Sequence, residues 1–253
     1  MQDWLGHTTR FGYDAASNLT TQTYPNTAVA TFGYDNADRP LGITDTVGGA
    51  PRWSFGYGRD GAGQLTAAAD PLDGQQHAYG YDALNRLTSD GRSGGATSWD
   101  YNAAHDLTAI TDTIHNTASS LGYDQADQLT GLTATAGGAP TATVTYAANP
   151  DGDRTSQNDS VSGAGTRYGY DQADRLVTAT VGTTTTASYS YDGDGLRQSK
   201  TVNGATTPET WDKTWDTAGG LPTLLQDGAT RYIAGPDGLP LEQVNGSGNV
   251  LYY

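Results

Sequence analysis

The chain has 253 residues, with 34 glycines, 16 tyrosines, no cysteine and a formal charge of −15. Its 28 acidic against 13 basic residues exclude nucleic acid and anionic membrane as expected partners, because each phosphate contact needs a cation. The missing thiols exclude disulfides, thiolate metal sites and a cysteine nucleophile, and no apolar run reaches the roughly 18 residues of a helical membrane span.

In chain order, residues 1–10 read as the tail of a preceding hairpin, and Met1-Gln-Asp-Trp-Leu5 lacks the charged and apolar regions of a signal peptide. A repeat then starts. Tyr13, Tyr34, Tyr57, Tyr81, Tyr101, Tyr123, Tyr146, Tyr170 and Tyr191 follow one another at intervals of 20 to 24 residues, room for two short strands and two turns. The clearest copies are Tyr13-Asp-Ala-Ala-Ser-Asn-Leu-Thr20, Tyr81-Asp-Ala-Leu-Asn-Arg-Leu-Thr88, Tyr123-Asp-Gln-Ala-Asp-Gln-Leu-Thr130 and Tyr170-Asp-Gln-Ala-Asp-Arg-Leu-Val177. Those starting at Tyr57, Tyr101, Tyr146 and Tyr191 are looser.

Two residues before each tyrosine stands a second large apolar residue: Phe11, Phe32, Phe55, Tyr79, Trp99, Leu121, Val144, Tyr168 and Tyr189. Residues i and i+2 share a face of a strand but point about 200° apart on a helix, so the doubled positions predict β structure. The residue between them is usually glycine (Gly12, Gly33, Gly56, Gly80, Gly122 and Gly169), which leaves room for a neighbouring aromatic or a local bend. After each tyrosine, Asp and a second Asp or Asn predict a tight turn, with the repeated Asp14, Asp35, Asp82, Asp124 and Asp171 as turn carboxylates. At the other end of the hairpins, Thr46-Val-Gly-Gly-Ala-Pro51 is echoed by Thr135-Ala-Gly-Gly-Ala-Pro140, where Gly-Gly supplies positive φ.

From Tyr191 the pattern changes. Thr201-Val-Asn-Gly204 predicts an Asn-Gly hairpin, and Trp211 to Trp215 is a candidate end cap. The expected organisation is one continuous structural domain, with tandem repeats over 1–200 and terminal hairpins over 201–253. A chain ending in the strand-like Val250-Leu-Tyr-Tyr253 suggests a piece of a longer protein.

Candidate chemistry is sparse. His7, His77, His105 and His115 lack the i, i+2 spacing of paired ligands and are expected in solvent or turns. No phosphate-cradling loop leads into a helix. Asn149-Pro-Asp-Gly-Asp153 and Asp192-Gly-Asp194 cluster oxygens as a calcium loop would, without its glycine and closing glutamate placed correctly, and read as turns. No catalytic, cofactor or metal residue is expected; the repeat tyrosines are the structural positions.

The Tyr-Asp-x-x-x-x-Leu-Thr unit resembles the YD repeat of bacterial Rhs proteins, wall-associated proteins, toxin-complex BC components and animal teneurins. The run from Tyr191-Asp-Gly-Asp-Gly195 through Tyr232-Ile-Ala-Gly-Pro-Asp-Gly-Leu-Pro-Leu-Glu242 resembles the segment leading into the Rhs core. The resemblance implies an all-β, antiparallel strip of hairpins that curves into a hollow shell, enclosing a C-terminal toxin in bacterial members. It implies a non-catalytic, secreted or cell-surface scaffold whose partners are the rest of its own shell and an effector. Unpaired strand edges at the two ends of the strip predict either self-association or end caps. The family's downstream autoproteolytic motif is not in this sequence. A second reading is an extracellular adhesion module whose tyrosines bind glycans by stacking, against the alternative that the rings form a cross-strand ladder. The two differ in burial: ladder tyrosines are covered, glycan-binding ones open.

Overall fold

The computed structural model describes residues 1–70, 74–213, 221–235 and 239–253, the side chains of Asp70 and Thr185 aside. The described residues are strands and turns, and none forms a helix long and apolar enough to cross a membrane. The chain divides into two compact units, residues 1–123 with 132–141, and residues 124–131 with 142–253.

The first unit carries β1 (Arg10–Tyr13), β2 (Leu19–Thr23), β3 (Ala28–Tyr34), β4 (Pro40–Val47), β5 (Ala50–Arg59), β6 (Leu65–Asp70), β7 (Gln75–Tyr81), β8 (Leu87–Arg92), β9 (Gly95–Tyr101), β10 (Leu107–Asp112) and β11 (Thr117–Tyr123). Two strands contribute residues to both units, β12 (Leu129–Ala136) and β13 (Ala139–Ala148). The second unit continues with β14 (Arg154–Asp159), β15 (Gly165–Tyr170), β16 (Leu176–Val181), β17 (Thr184–Tyr191), β18 (Arg197–Val202), β19 (Ala205–Asp212), β20 (Thr223–Asp227), β21 (Thr230–Ala234), β22 (Pro240–Val244) and β23 (Val250–Tyr252). Within each unit successive strands pair antiparallel, from β1–β2 to β10–β11 in the first and from β13–β14 to β22–β23 in the second.

In several strands the doubled bulky positions share the less exposed face, as their spacing predicts. In β3, β9 and β11, Phe32 and Tyr34, Trp99 and Tyr101, and Leu121 and Tyr123 are half-buried, while Gly33, Asp100 and Gly122 between them are exposed. Among the described residues no large side chain is completely buried, so hydrogen-bonded neighbours carry much of the cohesion that a deep core carries elsewhere.

The register explains the Leu-Thr that closes each repeat. Gly80 pairs with Ser89 but Tyr81 pairs with Leu87, so Thr88 is the extra residue of a bulge; the same skip occurs at Gly12/Tyr13 and Gly169/Tyr170. At Thr108 and Thr155 the bulge hydroxyl donates to the carbonyls of Asp100 and Ala147, which is a reason for threonine there. At Gly12, Gly33, Gly56, Gly80 and Gly169 the glycine between the bulky pair does not face an aromatic. A Cβ on Gly12, Gly80 or Gly169 would meet the hydroxyl of Thr21, Ser89 or Thr178 at 2.4 to 2.6 Å, whereas Gly33 faces open space.

Both Gly-Gly turns have positive φ, 59° and 80° at Gly48 and Gly49 and 58° and 81° at Gly137 and Gly138, and Asn203-Gly204 closes its hairpin with Val202 opposite Ala205. Trp211 lies in β19; Trp215 of the expected end cap lies outside the described residues.

Candidate functional site

The recurring feature is the turn that follows each tyrosine strand. Its first residue, at position i, is Asp14, Asp35, Asp60, Asp82, Asn102, Asp124, Asn149, Asp171 or Asp192. There the N–H of residue i bonds the carbonyl of i+4, and the N–H of i+3 bonds the carbonyl of i. Residue i+3 is left-handed, as at Asp38 (φ 57°), Asn85 (63°), His105 (74°) and Asp174 (56°), which suits Asp, Asn and His better than β-branched residues. The side chain of residue i completes the turn: Asp82 Oδ1 accepts from the N–H of Leu84 and Arg86, and Asp171 Oδ1 from those of Ala173 and Arg175. The same turn forms at Asp3 and at Asn245, outside the run of repeat tyrosines.

The second carboxylate oxygen selects residue i+4, a pairing that the repeated Asp alone did not reveal. Asp14, Asp35, Asp82 and Asp171 take side-chain donors from Asn18, Arg39, Arg86 and Arg175 at 2.7 to 3.1 Å. Where the turn opens with Asn102 or Asn149 the pair is reversed, and Asn donates to Asp106 or Asp153. The Arg86 N–H and then its guanidinium hold the Asp82 carboxyl below its usual range; at Asp171 the Arg175 guanidinium acts first. Asp174 is pushed the other way by Asp153, with further contributions from burial, Asp151 and Asp171.

Seven of these nine turns are clasped by the next repeat. The hydroxyls of Tyr34, Tyr81, Tyr101, Tyr123, Tyr170 and Tyr191 donate to the carbonyls of Leu19, Leu65, Leu87, Leu107, Arg154 and Leu176 at 2.8 to 2.9 Å. Every acceptor is the fifth residue after the start of the preceding turn. Trp211 performs the same task with its indole N–H, 2.7 Å from the Arg197 carbonyl, so it occupies a repeat position that its identity disguised. Burial raises the phenol pKa of Tyr34, Tyr123 and Tyr170, consistent with hydroxyls that stay protonated donors.

Arginine completes the clasp. The Arg86 guanidinium lies 4.6 Å from the Tyr101 ring centre and Arg175 5.0 Å from that of Tyr191, and their Nη1 atoms reach the first carbonyls of the following turns, on Asn102 and Asp192. The recurrent partners of the rings are thus guanidinium groups and backbone carbonyls, where the sequence suggested ring-on-ring stacking. Lys213 bridges Asp192 and Asp194, and Asn149 engages Asp153, so these oxygen-rich turns are held by side-chain donors.

The structure places the other predicted positions as follows. Tyr13 is 52% exposed. Tyr57 and Tyr146 do not stand beside a turn: the residues opposite Leu65 and Arg154, where Tyr81 stands opposite Leu87, are Arg59 and Ala148. In these looser copies the tyrosine sits two residues early, in the register of Tyr79 and Tyr168. His105 is in a turn and His115 bonds Asp112 beside one, but His77 lies on β7 with its Nδ1 2.8 Å from the buried Asp90, contrary to the expected solvent or turn setting. The sequence could not show this, because β8 supplies the partner. His7 likewise sits on Asp3 Oδ2 at 2.8 Å.

The family model described as RHS Repeat matches residues 4–29, 13–50, 59–97 and 101–139. The chain belongs to the RHS-repeat proteins. The RHS-repeat fold recurs in two solved structures. One, a crystal structure of TcdB2-TccC3-Cdc42, is 14% identical with a TM-score of 0.52, over 97% of this chain and 18% of the other. The second, TcdB2-TccC3 without its hypervariable C-terminal region, is 14% identical with a TM-score of 0.51, over 97% and 17%. The chain therefore spans under a fifth of each of these two chains. No curated protein matches the sequence.

Proposed function

We propose that this RHS-repeat chain is a non-catalytic scaffold, a stretch of the wall of a hollow shell that encloses a C-terminal effector of the same polypeptide for export. The observation that carries the reading is where the repeated polar chemistry is used. Tyrosine hydroxyls and arginines engage the neighbouring repeat, and turn carboxylates hold those arginines, which is the arrangement of a wall. The engaged hydroxyls also count against the glycan-binding alternative, which needs open rings. The 1–200 and 201–253 segments are read as repeats and terminal hairpins of the same wall, whose partners are its remaining turns and the cargo.

The test is limited proteolysis of the full-length gene product. A region downstream of the repeats that resists cleavage until the wall unfolds supports enclosure; cleavage as fast as that of the isolated region refutes it.

A further inference from the structure

Two repeats lack the tyrosine clasp, with Arg59 and Ala148 in its place, and at Ala148 an open pocket remains. After the turn at Asp124 the fifth residue is Leu129, the counterpart of Leu65, Leu87 and Leu107, whose carbonyls accept the tyrosine hydroxyls of the following repeats. The residue preceding the next turn, which is Tyr81, Tyr101 or Tyr123 in those cases, is Ala148 here. Its pairing with Arg154 repeats that of Tyr81 with Leu87 and of Tyr170 with Leu176, so alanine stands where a tyrosine would. A pocket of about 140 Å³ occupies the spot, lined by Gln128, Leu129, Tyr146, Ala148, Gly152 and Arg154.

At the other departure Arg59 brings a long side chain whose Nη1 donates to the Gly63 carbonyl. Ala148 has nothing beyond its methyl. A volume near 140 Å³ is close to that of engineered cavities that admit benzene. Gln128 lies at the place in its turn from which Arg86 and Arg175 stack on Tyr101 and Tyr191, and the Arg154 guanidinium, 4.2 Å from the Tyr146 ring centre, forms another wall.

We propose that this pocket is a binding site for a para-substituted phenol, the ring of a tyrosine side chain or of a small phenolic compound, with its hydroxyl donating to the Leu129 carbonyl. The ring enters as Tyr81 or Tyr123 enters its own slot, and Gln128 covers its face. The site belongs to the second unit alone and does not depend on the shell reading.

The experiment is titration of the intact protein with p-cresol, toluene and N-acetyltyrosinamide, followed by the Ala147 and Ala148 methyl resonances. The expected result is saturable binding of p-cresol, about five- to tenfold weaker binding of toluene, which lacks the hydrogen bond, and loss of cresol binding in Ala148→Tyr. That variant should also unfold at higher denaturant, since it supplies the ring covalently. Ala148→Leu, which blocks the slot without a hydroxyl, serves if Ala148→Tyr fails to fold. Equal binding of N-acetyltyrosinamide assigns the site to a peptide tyrosine, and its exclusion alongside cresol binding assigns it to free phenols. No saturable shift with p-cresol, toluene binding as tightly as p-cresol, or undiminished cresol binding in the filled variants would each overturn the proposal.

Discussion

Replacing Arg86 with alanine removes a clasp whose parts can be valued separately. Its Nε lies 2.7 Å from Asp82 Oδ2, with both side chains 24% exposed, a setting worth about 0.5 kcal/mol. The guanidinium over Tyr101 adds about 0.5 to 1 kcal/mol. The contact to the Asn102 carbonyl, at 3.4 Å, is long and adds little. The expected loss is therefore about 1 to 1.5 kcal/mol, read as a lower urea midpoint at unchanged slope. Double-mutant cycles separate the terms. Asp82→Asn keeps the turn acceptor that Asn102 and Asn149 use natively, so its coupling to Arg86 reports the ion pair alone. Coupling to Tyr101→Leu reports the contact between repeats. A loss within about 0.3 kcal/mol of zero, or strict additivity with Tyr101→Leu, would refute the clasp as a source of cohesion.

Other perturbations follow from the same contacts. Asp14, Asp35, Asp82, Asp171 and Asp192 have folded pKa values below their unfolded ones, so their stabilisation is complete above about pH 4 and lost as pH falls through the lowered folded values. Urea midpoints measured from pH 6 downward should fall through that window. Asp174 is raised chiefly by Asp153, so Asp174→Asn, which also suits a φ of 56°, should raise the midpoint at pH 7. Glu209→Gln leaves Arg197 without its carboxylate, bonded at 2.7 to 3.0 Å, and should cost about 2 to 3 kcal/mol by urea unfolding, below the usual figure for buried pairs because Arg197 is 37% exposed. Gly33→Ala, facing open space, should stabilise by about 0.5 kcal/mol, whereas Gly80→Ala meets Ser89 Oγ at 2.4 Å and should not.

Much of this fold was legible because the strand period and the turn residues repeat. Spacing by two put Phe32 with Tyr34 and Trp99 with Tyr101, and Gly48-Gly49 and Asn203-Gly204 announced their turns. What stayed hidden depends on register. Tyr57 and Tyr146 match the motif by residue type, yet the bulge that aligns each turn leaves them two residues early, with Arg59 and Ala148 in their stead. Trp211 takes a tyrosine's part because an indole N–H reaches a carbonyl as a phenol does. The pairing of residues i and i+4 was present in the letters, as Asp with Arg or Asn and as Asn with Asp, but reads as composition until the turn brings the ends together. Contacts such as His77 with Asp90 join different strands and carry no local signature.

The central claim is that the repeat tyrosines hold each repeat to the one before through their hydroxyls. The most direct measurement is a tyrosine-to-phenylalanine scan, with unfolding free energy read at every position. Tyr34, Tyr81, Tyr101, Tyr123, Tyr170 and Tyr191 should each lose about 1 kcal/mol, and Tyr57 and Tyr146, whose hydroxyls meet no such carbonyl among the described residues, almost nothing. Equal losses at all eight positions, or none at the six, would contradict it.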